Sequence, residues 1–388
     1  MPQLPITLEK IPLGSPRIKA FAYFPWRLYR GDPHWTPPLM ADYLGSRLLG
    51  TLGLLTPQHP YHEHAEVMHW MAWQGKEPVG RISAAINHRF NEYHQTKIGF
   101  FGLFEVVEDY EVARTLLDQA RDWIQAKGMR VMRGPGEYSN ATHERQGLLV
   151  DGFEYDPTVD LTHNPRYYPE FLERYGLQKA KDYYAYIMPV QPPPPERLRY
   201  LAKRVQRRRD IETRTLQMEE LVAGIRLTIE IYNEAWADNW GFLPITQGEA
   251  DAVAEMLRPI IDPGLCRFAF VDGEPAAVMG AFPDPYWALR PRWKWYGDSE
   301  LVRLVRLLAM RRRIPRVRLI FYGVLPQFRR MGIDALLFLE AKEYAMQKGY
   351  QECETSMLLE DNVLIMRPSE FMGAHHYKTW RIYDLALE

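Results

Sequence analysis

The stretch Val324-Leu-Pro-Gln-Phe-Arg-Arg-Met-Gly-Ile-Asp-Ala-Leu-Leu337 lies between an aliphatic and aromatic run and a long amphipathic run. This order predicts a strand, a short loop and the first turn of a helix. A first helical turn leaves backbone N–H groups without partners, and the helix dipole adds positive potential there. Arg329 and Arg330 add charge, and Gly332 has no Cβ to keep an anion from the backbone. The segment therefore predicts a binding site for a phosphate or diphosphate group.

The residues around this loop predict alternating helices and strands in the second half of the chain. The predicted helices are 221–233, 248–260, 332–348 and 362–372, the predicted strands are 317–324, 353–359 and 376–385, and a hairpin is predicted over 266–281. In the helix after the loop, the apolar residues Ile333, Leu336, Leu337, Ala341 and Tyr344 share one face, which we expect to cover a sheet. This pattern predicts an α/β sandwich, α+β with a mixed sheet.

The first half of the chain repeats this pattern in constant register. Residues 97–102 match 318–323, 120–123 match 341–344, 127–128 match 348–349, and Gly152 matches Gly373. The matched blocks agree in type, as an aromatic strand, an amphipathic helix and a helix-ending glycine. Two tandem copies of one fold are predicted, and two unrelated α/β domains with similar patterns are the alternative.

A run of four prolines, Pro192 to Pro195, marks the boundary between the halves. Such a run favours polyproline II, which is a stiff spacer. The length of 388 residues fits two domains at roughly 100–200 residues each. The predicted domains are therefore 1–188 and 196–388, joined by a proline-rich linker over 189–195.

Composition narrows the class of protein. The formal net charge of -1 does not favour a nucleic-acid partner. Cys266 and Cys353 form no disulfide framework, which favours a reducing, cytoplasmic location. Neither a signal peptide nor an apolar run of roughly 18–20 residues is evident, so no membrane partner is expected.

Two further groups of residues have weaker implications. The basic segment 197–209 is expected to form a solvated helix face beside the linker, and 303–318 carries several more basic residues. Phosphate groups of a bound ligand or of nucleic acid are the alternative partners for both segments. His59, His62, His64 and His69 do not follow a standard zinc spacing, so no metal is predicted.

The segment 324–337 resembles the acyl-CoA loop of the GNAT superfamily, whose pattern is Arg/Gln-x-x-Gly-x-Gly/Ala after the fourth strand. Arg329 and Gly332 match that pattern, whereas Asp334 stands where the family usually has Gly or Ala. With Asp32-Pro-His-Trp-Thr-Pro-Pro38 and the element order, the chain is similar to bacterial tandem-GNAT proteins. The resemblance implies acyl transfer from an acyl-CoA, with acetyl-CoA as the first candidate, to an amine on a small molecule or peptide.

The resemblance also implies roles for particular residues. The residues expected to bind acyl-CoA are Val324, Arg329, Arg330, Met331, Gly332, Ile333, Asp334 and Ala335. Val324 would act through its backbone, because in the family this strand splays from its neighbour, holds the pantetheine arm and polarises the thioester carbonyl. On the acceptor side, the resemblance points to Trp236, Asn239 and Trp240, with aromatic core packing as an equal alternative.

Proton transfer is also assigned through the resemblance. Glu354 and Glu360 are candidate bases on or just after the next strand, and solvated carboxylates are the alternative interpretation. The family's late-helix tyrosine, which often protonates the leaving thiolate, falls on Ser369. Tyr377, Tyr322 or His376 are the other candidate acids.

The first half differs at the matching loop. Glu108-Asp-Tyr-Glu-Val-Ala113 replaces Arg329–Asp334, so the glycine is absent and three carboxylates occupy the helix start. Acids there stabilise a helix and repel phosphate. We therefore expect a degenerate first copy and an acyl-CoA site in the second. A non-catalytic binding protein and an aminoacyl transferase of the Fem type remain as alternatives.

Overall fold

The computed structural model describes residues 4–47, 50–138, 145–207, 210–258, 260–290 and 299–388. The chain forms two compact units. The first consists of Met1–Tyr183 and Lys378–Glu388, and the second of Tyr184–Tyr377. Helices and strands alternate in both, which confirms the α/β prediction with its mixed sheet.

The first unit is built on strands that follow one another along the sheet. Its elements are β1 (Ile6–Ile11), α1 (Ile18–Leu28), α2 (Met40–Leu44), β2 (Ala65–Gln74), β3 (Glu77–Asn87), α3 (His88–His94), β4 (Ile98–Val106), α4 (Tyr110–Ala126), β5 (Val131–Gly136), β6 (Leu148–Asp151), α5 (Tyr168–Tyr175) and the start of β7 (Gln178–Pro189). The strand order is β1-β2-β3-β4-β5-β13, where β13 (His375–Ala386) is the last strand of the chain. The buried face of α4, with Val112, Leu116 and Ile124, packs on this sheet.

The second unit repeats the order of elements. It contains the end of β7, then α6 (Glu196–Gln206), β8 (Ile211–Thr215), α7 (Leu221–Ala235), α8 (Gln247–Leu257), β9 (Cys266–Val271), β10 (Glu274–Pro283), α9 (Pro285–Leu289), α10 (Glu300–Met310), β11 (Arg316–Val324), α11 (Ile333–Lys348), β12 (Glu352–Leu359) and α12 (Val363–Phe371). The strand order is β7-β12-β11-β10-β9-β8. The helix α11 connects the parallel strands β11 and β12, and buries Ile333, Leu337 and Ala345 in the core.

The predicted elements of the second half agree with the structure to within three residues at each end. The strand β8 and the helices α9 and α10 were not predicted. The edge strand β8 reads Ile-Glu-Thr-Arg-Thr and carries too few apolar residues for its period to be recognised.

The bounds of the compact units differ from the predicted domain bounds at the end of the chain. Residues 378–388 belong to the first unit, and the segment 189–195 lies within the second. The last strand pairs with β5, where Tyr383 lies opposite Gly134. Arg381 also donates two hydrogen bonds to Asp182, at 2.8 and 3.0 Å. These contacts explain why the end of the chain packs with the first unit.

Two arginines of the basic segment around α10 bind backbone carbonyl groups. Arg303 is buried, and its Nε donates to the carbonyl of Leu289 at 2.8 Å. Arg306 donates to the carbonyls of Ala288 and Arg290. These carbonyls lie at the end of the short helix α9, where backbone acceptors have no partner within the helix. The two arginines supply that partner.

Candidate acyl-CoA site

The strands β11 and β12 are paired only at their beginnings. Their parallel register runs from Arg316 opposite Glu352 to Leu319 opposite Thr355. On its other side β11 stays paired with β10 as far as Val324. Among the residues that the structure describes, the end of β11 therefore has a ladder partner only on its β10 side. The backbone groups on the other side form an open edge.

The matching strands of the first unit stay close together. Their register continues to Gly102 opposite Gly136, and Gly102 is the counterpart of Gly323 in the repeat. A Cβ on Gly102 would lie 1.9 Å from the carbonyl oxygen of Gly136. The first copy is thus closed at the position where the second is open.

The carbonyl groups of Tyr322 and Val324 point to the open edge. The next residue, Leu325, donates its N–H to the β10 side, and successive residues of a strand alternate in the side that their backbone groups face. Trp236 Nε1 donates to the Tyr322 carbonyl at 2.8 Å, and Arg329 Nε donates to the Val324 carbonyl at 3.3 Å. The two carbonyl groups of β11 thus already accept hydrogen bonds from side chains at the open edge.

The helix α11 begins without a side-chain cap. Its N-cap residue is Gly332 at φ +82°, and Arg330 is also left-handed at φ +67°. A Cβ on Gly332 would lie 2.9 Å from Val205 Cγ2 on α6, so glycine is required by both conformation and space. Asp334 lies exposed in the first turn and does not cap it. The first-turn amides are therefore available to an anion.

The matching helix of the first unit is capped by a carboxylate. Asp109 is the N-cap of α4, and its Oδ1 accepts the N–H of Glu111 at 2.9 Å. A phosphate at this position would have to displace one carboxylate and face another. The two helix starts thus differ in the way that their sequences imply.

Positive charge surrounds the start of α11. Arg329 and Arg330 are exposed in the loop. Lys203 and Arg204 are exposed at the end of α6, next to the Val205 side chain that approaches Gly332. Among the other residues named from the resemblance, Ile333 and Ala335 are buried in the helix, while Met331 packs at the margin of the core.

Glu354 lies away from solvent. It is fully buried on β12, and its carboxylate lies 3.5 Å from Arg318 Nε and 3.5 Å from the Tyr377 hydroxyl. Burial and the neighbouring Glu354 carboxylate raise the pKa of Tyr377. The arrangement can hold a carboxylate charge within the core, beside a guanidinium.

The candidate hydroxyl groups differ in their surroundings. Ser369 is buried, and its Oγ donates to the Ile365 carbonyl one turn earlier at 2.9 Å. Tyr322 is half-buried on the open part of β11 and packs against Phe338, with ring centroids 5.1 Å apart and the ring planes tilted by 39°. Burial and the charge of Asp334 raise the pKa of Tyr322, so its hydroxyl stays protonated at neutral pH. Tyr322 thus belongs to the strand that forms the open edge, whereas Ser369 lies on α12.

The residues named for the acceptor side follow α7. Trp236 packs on Tyr232 at 4.8 Å between ring centroids, besides its bond to β11. Asn239 donates its backbone N–H to the Trp236 carbonyl at 2.9 Å in a turn, and Trp240 is half-buried beyond it. Sequence reasoning named these residues for the acceptor side but did not predict that the indole of Trp236 binds the strand backbone.

The histidines of the first unit have separate partners. His69 is buried between the Ile11 carbonyl and the Tyr138 hydroxyl, and burial lowers its pKa to about 3. His62 contacts the Leu54 carbonyl at 2.9 Å. In the described part of the chain, no three His, Cys, Asp or Glu side chains group as metal ligands would.

Comparison with known proteins gives matches along the whole chain. It is 32% identical over 392 aligned positions to the bacterial ceramide synthase of Caulobacter vibrioides (strain NA1000 / CB15N), covering 98% of both chains. It is 28% identical over 386 positions to protein YghO of Escherichia coli K12, covering 96% of this chain and 93% of that one. No family model matches.

Among solved structures, a tandem GNAT protein from the clavulanic acid biosynthesis pathway superposes with a TM-score of 0.56. It is 13% identical and the match covers 98% of both chains. The tandem GNAT fold predicted from the sequence is thereby confirmed. Within the described residues, no helix is long and apolar enough to cross a membrane.

Proposed function

Because the chain belongs to the family of the bacterial ceramide synthase, we propose that it transfers an acyl group from acyl-CoA to an amine in its second unit. One observation carries this proposal: the open edge of β11 leads directly to the uncapped start of α11. Because its carbonyl groups already accept from Trp236 and Arg329, the edge offers its backbone N–H groups to a pantetheine arm. The helix start offers amides and arginines to a diphosphate.

The absence of this arrangement in the first unit supports the assignment. There the strands remain paired as far as Gly102, and Asp109 caps the helix. Both differences disfavour an extended anionic ligand. The first unit is therefore proposed to be a degenerate copy that does not bind acyl-CoA.

The relative's name supports a long acyl chain and a lipid-like amine rather than acetyl transfer. A ceramide is the amide of a fatty acid with a long-chain amino alcohol. The proposed donor is accordingly a long-chain acyl-CoA, and the proposed acceptor is the primary amine of a long-chain amino alcohol. This proposal replaces acetyl-CoA, the first candidate from the sequence.

The reaction needs one bond to form and one to break. The amine nitrogen attacks the thioester carbonyl, the C–N bond forms, the C–S bond breaks, and the amine loses a proton. The departing CoA thiolate takes up a proton, for which Tyr322 is the proposed donor because its hydroxyl is protonated and lies on the open part of β11. Glu354, beside Arg318, is the proposed proton acceptor.

The proposal is tested with the purified full chain and acyl-CoA donors of two, eight and sixteen carbons. Each donor is combined with a long-chain amino alcohol or with a short alkylamine, and CoA thiol release and amide mass are measured. We expect amide formation to be fastest with the long donor and the long amine. Faster acetyl transfer would overturn the chain-length proposal, and thermal stabilisation by CoA without any amide would indicate a binding protein.

Two charge-reversing variants form a matched pair. Arg329→Glu places a carboxylate at the proposed diphosphate site, and we expect at least a tenfold rise in KM for the acyl-CoA. Arg114→Glu makes the same change in the first turns of α4, and we expect KM to stay unchanged. Equal effects of the two variants would contradict the assignment to the second unit.

A further inference from the structure

The helix α10 presents an apolar stripe to solvent. Leu301, Val305 and Leu308 are 71%, 58% and 57% exposed. Their spacing of four and three residues places them on one face of the helix. Single exposed leucines are ordinary on protein surfaces, but a continuous stripe on one helix is a feature of interaction surfaces.

The orientation of this stripe is held by polar contacts on the opposite face. Arg303 and Arg306 point inward and bind three carbonyl groups at the end of α9. Rotating α10 to bury the leucines would break these charge-assisted hydrogen bonds. The outward position of the apolar residues is therefore built into the fold.

A positively charged turn follows the stripe directly. Arg311, Arg312 and Arg313 are all exposed. Between residues 300 and 313 the sequence contains one acidic residue, Glu300, at the opposite end of the helix. An apolar face beside a cluster of arginines is complementary to a surface with an apolar interior and anionic groups on its outside, as in an anionic lipid bilayer.

We propose that α10 and the turn Arg311–Arg313 dock this chain onto the surface of an anionic lipid bilayer. The stripe inserts at the level of the lipid headgroups, and the three arginines bind lipid phosphates. A helix of eleven residues is too short to span a bilayer, so the contact is peripheral. This inference departs from the sequence expectation of no membrane partner, and it does not require the proposed acyl transfer.

The test is cosedimentation of the full chain with vesicles of phosphatidylcholine alone or mixed with phosphatidylglycerol. We expect binding to the mixed vesicles that weakens as salt is added. The double variant Leu301→Gln with Leu308→Gln is expected to bind at least tenfold more weakly. Each Arg→Ala change at 311, 312 or 313 is expected to weaken binding about fivefold. The control Leu52→Gln, which alters an exposed leucine of the first unit, should bind like the wild type.

Circular dichroism and thermal unfolding establish that each variant is folded before it is compared. Equal vesicle binding by the wild type and the Leu301→Gln, Leu308→Gln variant would overturn the proposal. The proposal would also be overturned if the wild type bound neither kind of vesicle but formed dimers in sedimentation velocity, and the double variant formed none. In that case the stripe would join two copies of this chain.

Discussion

Glu354 and Arg318 form a buried ion pair in the second unit. They lie opposite one another on parallel strands, with side chains 0% and 3% exposed. A charge left alone in such a place is costly, so each residue needs the other. The same burial separates the carboxylate from bulk water. A proton that Glu354 accepted from a bound amine would therefore have to leave through the site itself.

We predict that Glu354→Gln lowers the free energy of unfolding by about 3 kcal/mol, because it removes the carboxylate charge that balances the buried Arg318 guanidinium. Urea unfolding of the full chain measures the change. The control is Glu212→Gln, which breaks an exposed pair with Arg214 and should not change stability measurably. If Glu354 is the proton acceptor, folded Glu354→Gln will also show a large loss of kcat, and an unchanged kcat would exclude that role.

Single residues of the loop were more predictable from sequence than those around it. Arg329 and Gly332 follow from a local spacing, and their positions at the start of α11 depend only on neighbours in the chain. The bond from Trp236 to the Tyr322 carbonyl depends on a helix and a strand that are distant in sequence. The buried partner of Glu354 depends on strand register, which hydrophobic periodicity does not specify for parallel pairs.

At the scale of elements, the same strand–helix–strand unit occurs open and closed. The strands β4 and β5 stay paired as far as two glycines that face one another, whereas β11 and β12 separate after Leu319. The order and bounds of these elements were predictable because their periodicity is local. The outward apolar face of α10 was not, because buried arginines reverse the usual assignment of polar residues to solvent.

The end of β13 provides a pH-dependent prediction. Asp182 is held by hydrogen bonds from Arg381 and Lys179, which keep its pKa below the usual value despite burial. A lowered folded-state pKa means that this stabilisation is complete above about pH 5 and is lost as pH falls through the usual aspartate range and below. Asp182→Asn should therefore lower the free energy of unfolding by about 2 kcal/mol at neutral pH. It should also make stability less dependent on pH between 5 and 3.

Thermal unfolding at each pH measures this effect. The pair of Asp251 with Arg226 supplies the control, because both side chains are exposed and solvent screens them, so Asp251→Asn should change the pH dependence much less than Asp182→Asn does. If Asp182→Asn keeps the wild-type dependence of stability on pH, other carboxylates determine the loss of stability in acid.

At the scale of the whole molecule, the chain contains two copies of one fold with different helix starts. The second copy has Gly332 without a side-chain cap, and the first has Asp109 as an anionic cap. The sequence predicted this asymmetry from the loop residues alone. It could not predict that the last strand belongs to the first unit, since pairing of the chain end is a long-range contact.

The most direct measurement of the central claim is the stoichiometry of CoA binding to the full chain by isothermal titration calorimetry. We predict one molecule of CoA per chain, with binding weakened at least tenfold by Arg329→Glu and unchanged by Arg114→Glu. Two bound molecules per chain, or binding that is lost in Arg114→Glu and kept in Arg329→Glu, would contradict a single site at the start of α11.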